Sequence, residues 1–75
     1  MIVLDVFTTI KINGERRSRS FNALTENLDE ASIKDAILKK LRIPEKYSLI
    51  TDEIRINERK IMYVAEFESS TQKII

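Results

Sequence analysis

The sequence predicts an α+β fold, a two-layer ββαββ domain with one helix packed on a four-stranded sheet. Four segments alternate apolar and polar residues, which is typical of strands with one buried face. These segments are residues 2–12, 15–24, 53–56 and 61–67. Between the second and the third, residues 29–41 carry apolar side chains at helical spacing.

The first hairpin is predicted from Asn13-Gly14, because both residues tolerate the positive φ of a type I′ turn. A two-residue loop pairs Ile12 with Glu15, and a four-residue loop would keep the same faces. The apolar pairs then lie near the base of the hairpin, whereas Ile10 and Ile12 face charged neighbours at its tip. We therefore expect this hairpin to extend past the core as an arm.

The helix is predicted to begin near Asp29, capped by Asn27 with Glu30 three residues later, or by Thr25. Pro44 ends it, since the residue before a proline avoids the helical region. The apolar stripe of the helix consists of Ile33, Ala36, Ile37 and Leu41, widened by Leu38. We expect Ile33, Ile37 and Leu41 to pack on the inner face of the sheet, formed by Leu4, Val6, Phe21, Ile54, Tyr63 and Ala65.

A second hairpin is predicted after the helix, with its loop at Glu58-Arg59 and Ile56 opposite Ile61. Residues 45–50 are ambiguous between a turn and a short strand. Because the helix must cross between the two hairpins, the two central strands are expected to lie parallel. The chain is predicted to form a single domain, 1–75, of which residues 68–75 are a frayed tail.

The opening hairpin, the single helix and the segment "SIKDAILKKLRIPEKYSLI", residues 32–50, resemble the β-grasp fold of the ubiquitin family. The resemblance implies a β-grasp-like arrangement of the sheet. It does not imply conjugation chemistry, because the sequence ends in KII where the family has Gly-Gly.

Composition argues against an enzyme, a cofactor or a metal site. The chain has no cysteine and no histidine, so it lacks the usual zinc ligands, the commonest general base and the cysteine nucleophile. It also lacks a glycine-rich phosphate loop. No apolar run approaches the roughly 20 residues of a membrane helix. Since the N-terminus has no basic leader either, we expect a cytoplasmic protein that binds no membrane.

The first hairpin carries the candidate binding residues Lys11, Arg16, Arg17 and Arg19. Two-stranded ribbons can enter a DNA major groove, and arginine binds phosphate well. Arginines on a solvent-exposed edge strand can also serve only to prevent edge-to-edge pairing. The net charge is only +1, so an acidic partner would have to be recruited by this local patch.

Met62 and Val64 are predicted to lie on the sheet face opposite the helix, beside Val3 and Phe7. Such an apolar strip favours a binding surface if nothing covers it. We therefore predict a protein-binding or self-associating module, most simply a homodimer, with nucleic-acid binding through residues 11–19 as the alternative.

Two other charge clusters have simpler interpretations. Lys34, Lys39, Lys40 and Arg42 suit the negative end of the helix. Glu53, Glu66 and Glu68 are expected to share the outer face of the second hairpin as a solvated surface. Alternatively, these glutamates meet the arginines of a neighbouring copy.

Overall fold

A computed structural model describes residues 1–69 of the protein. It consists of four strands and one helix in the order ββαββ, which confirms the predicted α+β class. The elements are β1 (Ile2–Ile12), β2 (Glu15–Thr25), α1 (Glu30–Leu41), β3 (Tyr47–Asn57) and β4 (Lys60–Ser69).

The four strands form one mixed sheet in the order β2-β1-β4-β3. Each hairpin is antiparallel, and the two central strands, β1 and β4, run parallel as expected. Their pairing extends from Asp5 beside Lys60 to Ile12 beside Phe67. Parallel strands need a long crossover connection. Here the helix and β3 form the connection between β2 and β4.

The first hairpin has the predicted two-residue turn. Asn13 and Gly14 have φ angles of 51° and 86°, and Ile12 pairs with Glu15. The expectation of a projecting arm is wrong, because β4 accompanies β1 as far as Ile12. The Asn13 backbone N–H also donates to the Phe67 carbonyl at 3.1 Å. The tip is thus part of the sheet.

The helix begins where it was predicted, but with a different cap. Asp29 is the cap, and its Oδ2 accepts a hydrogen bond from the Ser32 backbone N–H at 3.0 Å. Bonding from Ser32 lowers the pKa of the Asp29 carboxyl below its ordinary value. Neither Asn27 nor Thr25 caps the helix: the Thr25 hydroxyl donates to the Asn27 carbonyl at 2.9 Å, in the preceding turn.

The helix ends at Leu41, and Arg42 adopts a left-handed conformation with φ of 56°. The backbone N–H of Arg42 donates to the Leu38 carbonyl at 3.1 Å. This is a C-terminal cap built without the usual glycine. The helix therefore ends before Ile43, the residue that precedes Pro44, as predicted.

The second hairpin has the predicted loop at Glu58-Arg59 and the predicted pairing of Ile56 with Ile61. Its first strand is longer than expected, because β3 begins at Tyr47 and contains a register shift between Leu49 and Thr51. Residues 47–50 of the ambiguous segment are therefore strand.

The end of β4 overlaps the predicted tail. Glu68 and Ser69, the first two residues of that tail, are the last residues of β4. The remainder of the tail lies outside the described residues.

The core lies between the helix and one face of the sheet. Six of the predicted core residues are buried: Leu4, Val6, Ile33, Ile37, Tyr63 and Ala65. The other three, Phe21, Leu41 and Ile54, are partly buried and packed against them. The predicted helix stripe and inner sheet face are confirmed.

Candidate interaction surface

The face of the sheet that points away from the helix, called here the open face, exposes five apolar side chains. One of them is Leu24, which pairs with Val3 and is 57% exposed. Val3, Phe7, Met62 and Val64 have exposed fractions of 50%, 43%, 47% and 42%. Side chains alternate along a strand, so each of the four points away from the buried residue next to it. The predicted position of Met62 and Val64 opposite the helix is confirmed.

The centre of the open face is an apolar pair. The parallel register of β1 and β4 places Phe7 beside Met62 and Thr9 beside Val64. Ser20 of β2 flanks Phe7, and Arg55 of β3 flanks Met62. Phe7, Met62 and Val64 therefore form a continuous apolar patch over the two central strands, with polar residues on either side. Asp5 separates Val3 from this patch on the same face of β1.

Charged residues lie at both ends of this patch. Asp5 is beside Lys60 at one end, and Lys11 is beside Glu66 at the other. In the part of the chain that the structure describes, none of these four side chains takes part in a salt bridge. Their charges remain available to a partner.

The four basic residues of the first hairpin do not share one surface. Arg16 pairs with Lys11 and shares its face, the open face. Arg17 and Arg19 lie opposite Ile10 and Thr8, on the face that also carries the helix. All three arginines are exposed on β2, an edge strand of the sheet. They therefore form a basic edge rather than a basic face.

On the helix side, the basic edge borders a shallow cleft. Arg17 and Arg19 line this cleft together with the apolar residues Ile10, Ile12 and Leu41. The Arg17 Nη2 lies 3.6 Å from the Glu15 carboxylate, and the two side chains are 73% and 72% exposed. The Arg19 guanidinium carbon lies 5.5 Å from the centre of the Phe21 ring. Arg19 is thus partly held by stacking on an aromatic side chain.

The basic residues of the helix are partly neutralised. Lys34 pairs with Glu30 at 3.3 Å, and Lys39 pairs with Asp35 at 3.2 Å. The remaining cations, Lys40 and Arg42, lie at the negative end of the helix. This arrangement is the one expected for helix stabilisation.

A polar network that sequence reasoning missed ties the helix to the sheet. The buried Tyr63 hydroxyl donates to Asp52 Oδ2 at 2.9 Å, and Lys34 Nζ lies 3.3 Å from the same oxygen. Burial and the bond to Asp52 raise the pKa of the Tyr63 phenol well above its ordinary value. The bonds to Glu30 and then Asp52 raise the pKa of Lys34. The network joins α1, β3 and β4.

The signal for this network was present in the sequence. Asp52 has the same parity as Ile54 and Ile56, so it falls on the inner face of β3 rather than with the outer glutamates. A carboxylate on an inner face needs a hydrogen-bonding partner. In the structure these partners are Tyr63 and Lys34.

The predicted acidic group lies on the outer face of the second hairpin, which is part of the open face. Glu53, Glu66 and Glu68 alternate with the inward-facing residues of β3 and β4. Glu53 pairs with the side chain of Arg55 at 3.4 Å. Within residues 1–69, no cluster of three or more acidic, cysteine or histidine side chains is arranged to hold a metal ion.

No family model, curated protein or solved structure matches this chain. The resemblance to the β-grasp fold therefore stays a prediction. Among the described residues, no helix has the length and apolarity needed to cross a membrane.

Proposed function

We propose that this protein is a non-enzymatic protein-binding module that associates with a second copy of itself through the open face. The observation that carries this proposal is the uncovered patch formed by Phe7, Met62 and Val64, each more than two-fifths exposed. Val3, which is half exposed, lies on the same face beyond Asp5. Contiguous exposed apolar surface on a small domain is a common mark of an interaction site.

The size of the domain supports self-association. A single core in a chain of this length rarely supplies more than about 3–5 kcal/mol of stability. The second face of the sheet would be covered if two copies packed together, and this would bury further apolar area. Sheets pack face to face in this way at a spacing of roughly 10 Å.

The proposal is tested by sedimentation equilibrium of the full chain from micromolar to millimolar concentration. We expect a monomer–dimer equilibrium that Phe7→Ser/Met62→Ser shifts towards monomer, since these residues form the centre of the patch. The matched control is Leu49→Ser, because Leu49 is exposed to 48% but pairs with the core residue Phe67 on the other side of β3–β4. A parent protein that stays monomeric throughout contradicts the proposal.

Nucleic-acid binding is the second candidate, and the basic edge favours it. Arg16, Arg17 and Arg19 are exposed on a strand whose outer side is unpaired in the sheet. Because each arginine that neutralises a phosphate releases counterions, affinity would fall steeply with salt. Replacing all three by serine should then flatten the slope of log affinity against log salt by roughly 2–3. Oligonucleotide binding that is absent at low salt, or unchanged in the triple variant, argues against this candidate.

We place the protein in the cytoplasm as part of the proposal. The absence of cysteine is compatible with a reducing compartment. Fractionation of the native host, with detection of the untagged chain, tests the location. Recovery in a secreted or membrane fraction contradicts it.

A further inference from the structure

We infer that two copies recognise each other through alternating charges on the open face and pack with their strands antiparallel, about a two-fold axis that runs across the strands. The inference rests on the self-association proposed above. It adds the residues that select a second copy and the orientation in which that copy binds.

The charges form a rectangle around the apolar centre. At one end β1 contributes Asp5 and β4 contributes Lys60, and at the other end β1 contributes Lys11 and β4 contributes Glu66. The two ends are separated by six positions on each strand (5 to 11 and 60 to 66), which is roughly 20 Å. Positive and negative corners therefore alternate around Phe7.

This alternation makes the open face complementary to itself. Rotation about an axis across the strands, midway between the Phe7 and Thr9 rows, brings one end of the rectangle over the other. Asp5 then faces Lys11 of the second copy, and Lys60 faces Glu66. Packed sheets keep their strands within about 30° of each other, an offset that these long side chains can span.

The outer strand β3 favours this axis over the alternative. Glu53 and Arg55 lie in the same rows as Val64 and Met62, so the rotation places Glu53 opposite Arg55 of the second copy. A two-fold axis along the strands would instead place both of these charges opposite serines of β2. The axis across the strands therefore forms more ion pairs.

The available area suits a dimer. Four strands about 4.8 Å apart and nine residues at about 3.3 Å each give a face of roughly 570 Å² per copy. Two such faces bury roughly 1,100 Å², just above the roughly 1,000 Å² expected of a specific interface. Association driven by so small an area depends strongly on charge complementarity.

Two double variants test the orientation, and both preserve net charge and composition. In Asp5→Lys/Lys11→Glu, positions 5 and 11 still carry opposite charges. Because position 5 of one copy faces position 11 of the other, every ion pair between the copies is retained in the proposed dimer. In Lys11→Glu/Glu66→Lys, positions 11 and 66, which are neighbours within one copy, still carry opposite charges. In the proposed dimer, however, its introduced glutamate faces Asp5 of the second copy, and its introduced lysine faces Lys60. The variants therefore separate contacts between copies from contacts within a copy.

We expect the first variant to dimerise at least as tightly as the parent in sedimentation equilibrium at low salt, and the second to bind at least about tenfold more weakly. Circular dichroism should show that both are folded. The reverse ranking overturns the inferred axis, and equal affinities overturn recognition by charge, whereas both results leave the proposed self-association standing. A parent that never dimerises overturns the inference and the proposed function together.

Discussion

Tyr63 has a position unlike that of any other polar side chain in the described chain, because it is central in the sheet, fully buried and bonded to a carboxylate. It belongs to the same buried cluster as Ile33 and Ile37 of the helix, and its hydroxyl reaches Asp52 on the edge strand. Tyr63→Phe keeps the ring and removes the bond. We expect a loss of about 1.5–3 kcal/mol in the free energy of unfolding at pH 7, since Asp52 loses one of its two partners. Urea denaturation measures it.

The same residue predicts how stability depends on pH. Burial keeps the Tyr63 phenol neutral in the folded protein, whereas the unfolded phenol ionises near its ordinary pKa of 10.0. This contribution to stability is therefore complete below pH 10 and is lost as the pH rises above it. Urea unfolding of Tyr63→Phe between pH 8 and 11.5 should show a shallower alkaline decline than the parent. Parallel curves for the two proteins would show that the phenol is not protected.

Ile37 tests the core. It is fully buried on the helix stripe, so Ile37→Ala should reduce the free energy of unfolding by about 2–5 kcal/mol. A loss of that size unfolds much of so small a domain. Leu28→Ala, at a residue 46% exposed before the helix, should change it by no more than about 0.5 kcal/mol. Thermal melting curves that coincide for the two variants would mean that the helix packs on another face.

At the scale of elements, a side chain in the turn of the first hairpin extends the backbone pairing of β1 with β4. Asn13 Oδ1 accepts a hydrogen bond from the Ser69 backbone N–H at 2.9 Å. Asn13→Gly retains the positive φ of the turn but removes this acceptor, so amide hydrogen exchange at Ser69 should accelerate. Asn13→Asp retains an acceptor oxygen and should stay close to the parent. Equal protection of Ser69 in all three proteins would show that the bond contributes nothing.

The hairpin registers and the inner face were predictable because the information is local. Asn13-Gly14 determines the turn, and alternation then determines which side chains enter the core. The projecting arm was a wrong prediction for the opposite reason. Ile10 and Ile12 lie beside Ala65 and Phe67 of β4, which are 55 positions further along the chain and cannot be inferred from the pattern of one hairpin.

The cap of the helix and the binding surface were predicted only in part from the sequence. Asn27 was predicted as the cap because Glu30 follows it three residues later, whereas the actual cap, Asp29, is bonded by Ser32. For the surface, the sequence predicted the positions of Met62 and Val64. It did not reveal that alternation divides the arginines between two faces, although Arg16 and Arg17 are adjacent.

For the whole molecule, proposed self-association has a thermodynamic signature. A partner that binds only the folded state stabilises it by mass action, so the melting temperature should rise with protein concentration. We expect this rise in the parent and its loss in Phe7→Ser/Met62→Ser. Differential scanning calorimetry over a hundredfold range of concentration measures it. A melting temperature that is independent of concentration in the parent would indicate a protein that unfolds as a monomer.

The parallel pairing of β1 with β4 also constrains when the protein can fold. Asp5 must meet Lys60, so more than fifty residues of chain close into a loop before the centre of the sheet exists. On the ribosome, the first hairpin and the helix emerge while the strand that covers Ile10 and Ile12 is still unmade. The sheet can therefore be completed only after residues as far as Phe67 have been synthesised. Until then the apolar side of the first hairpin is exposed and can bind chaperones or other unfolded chains.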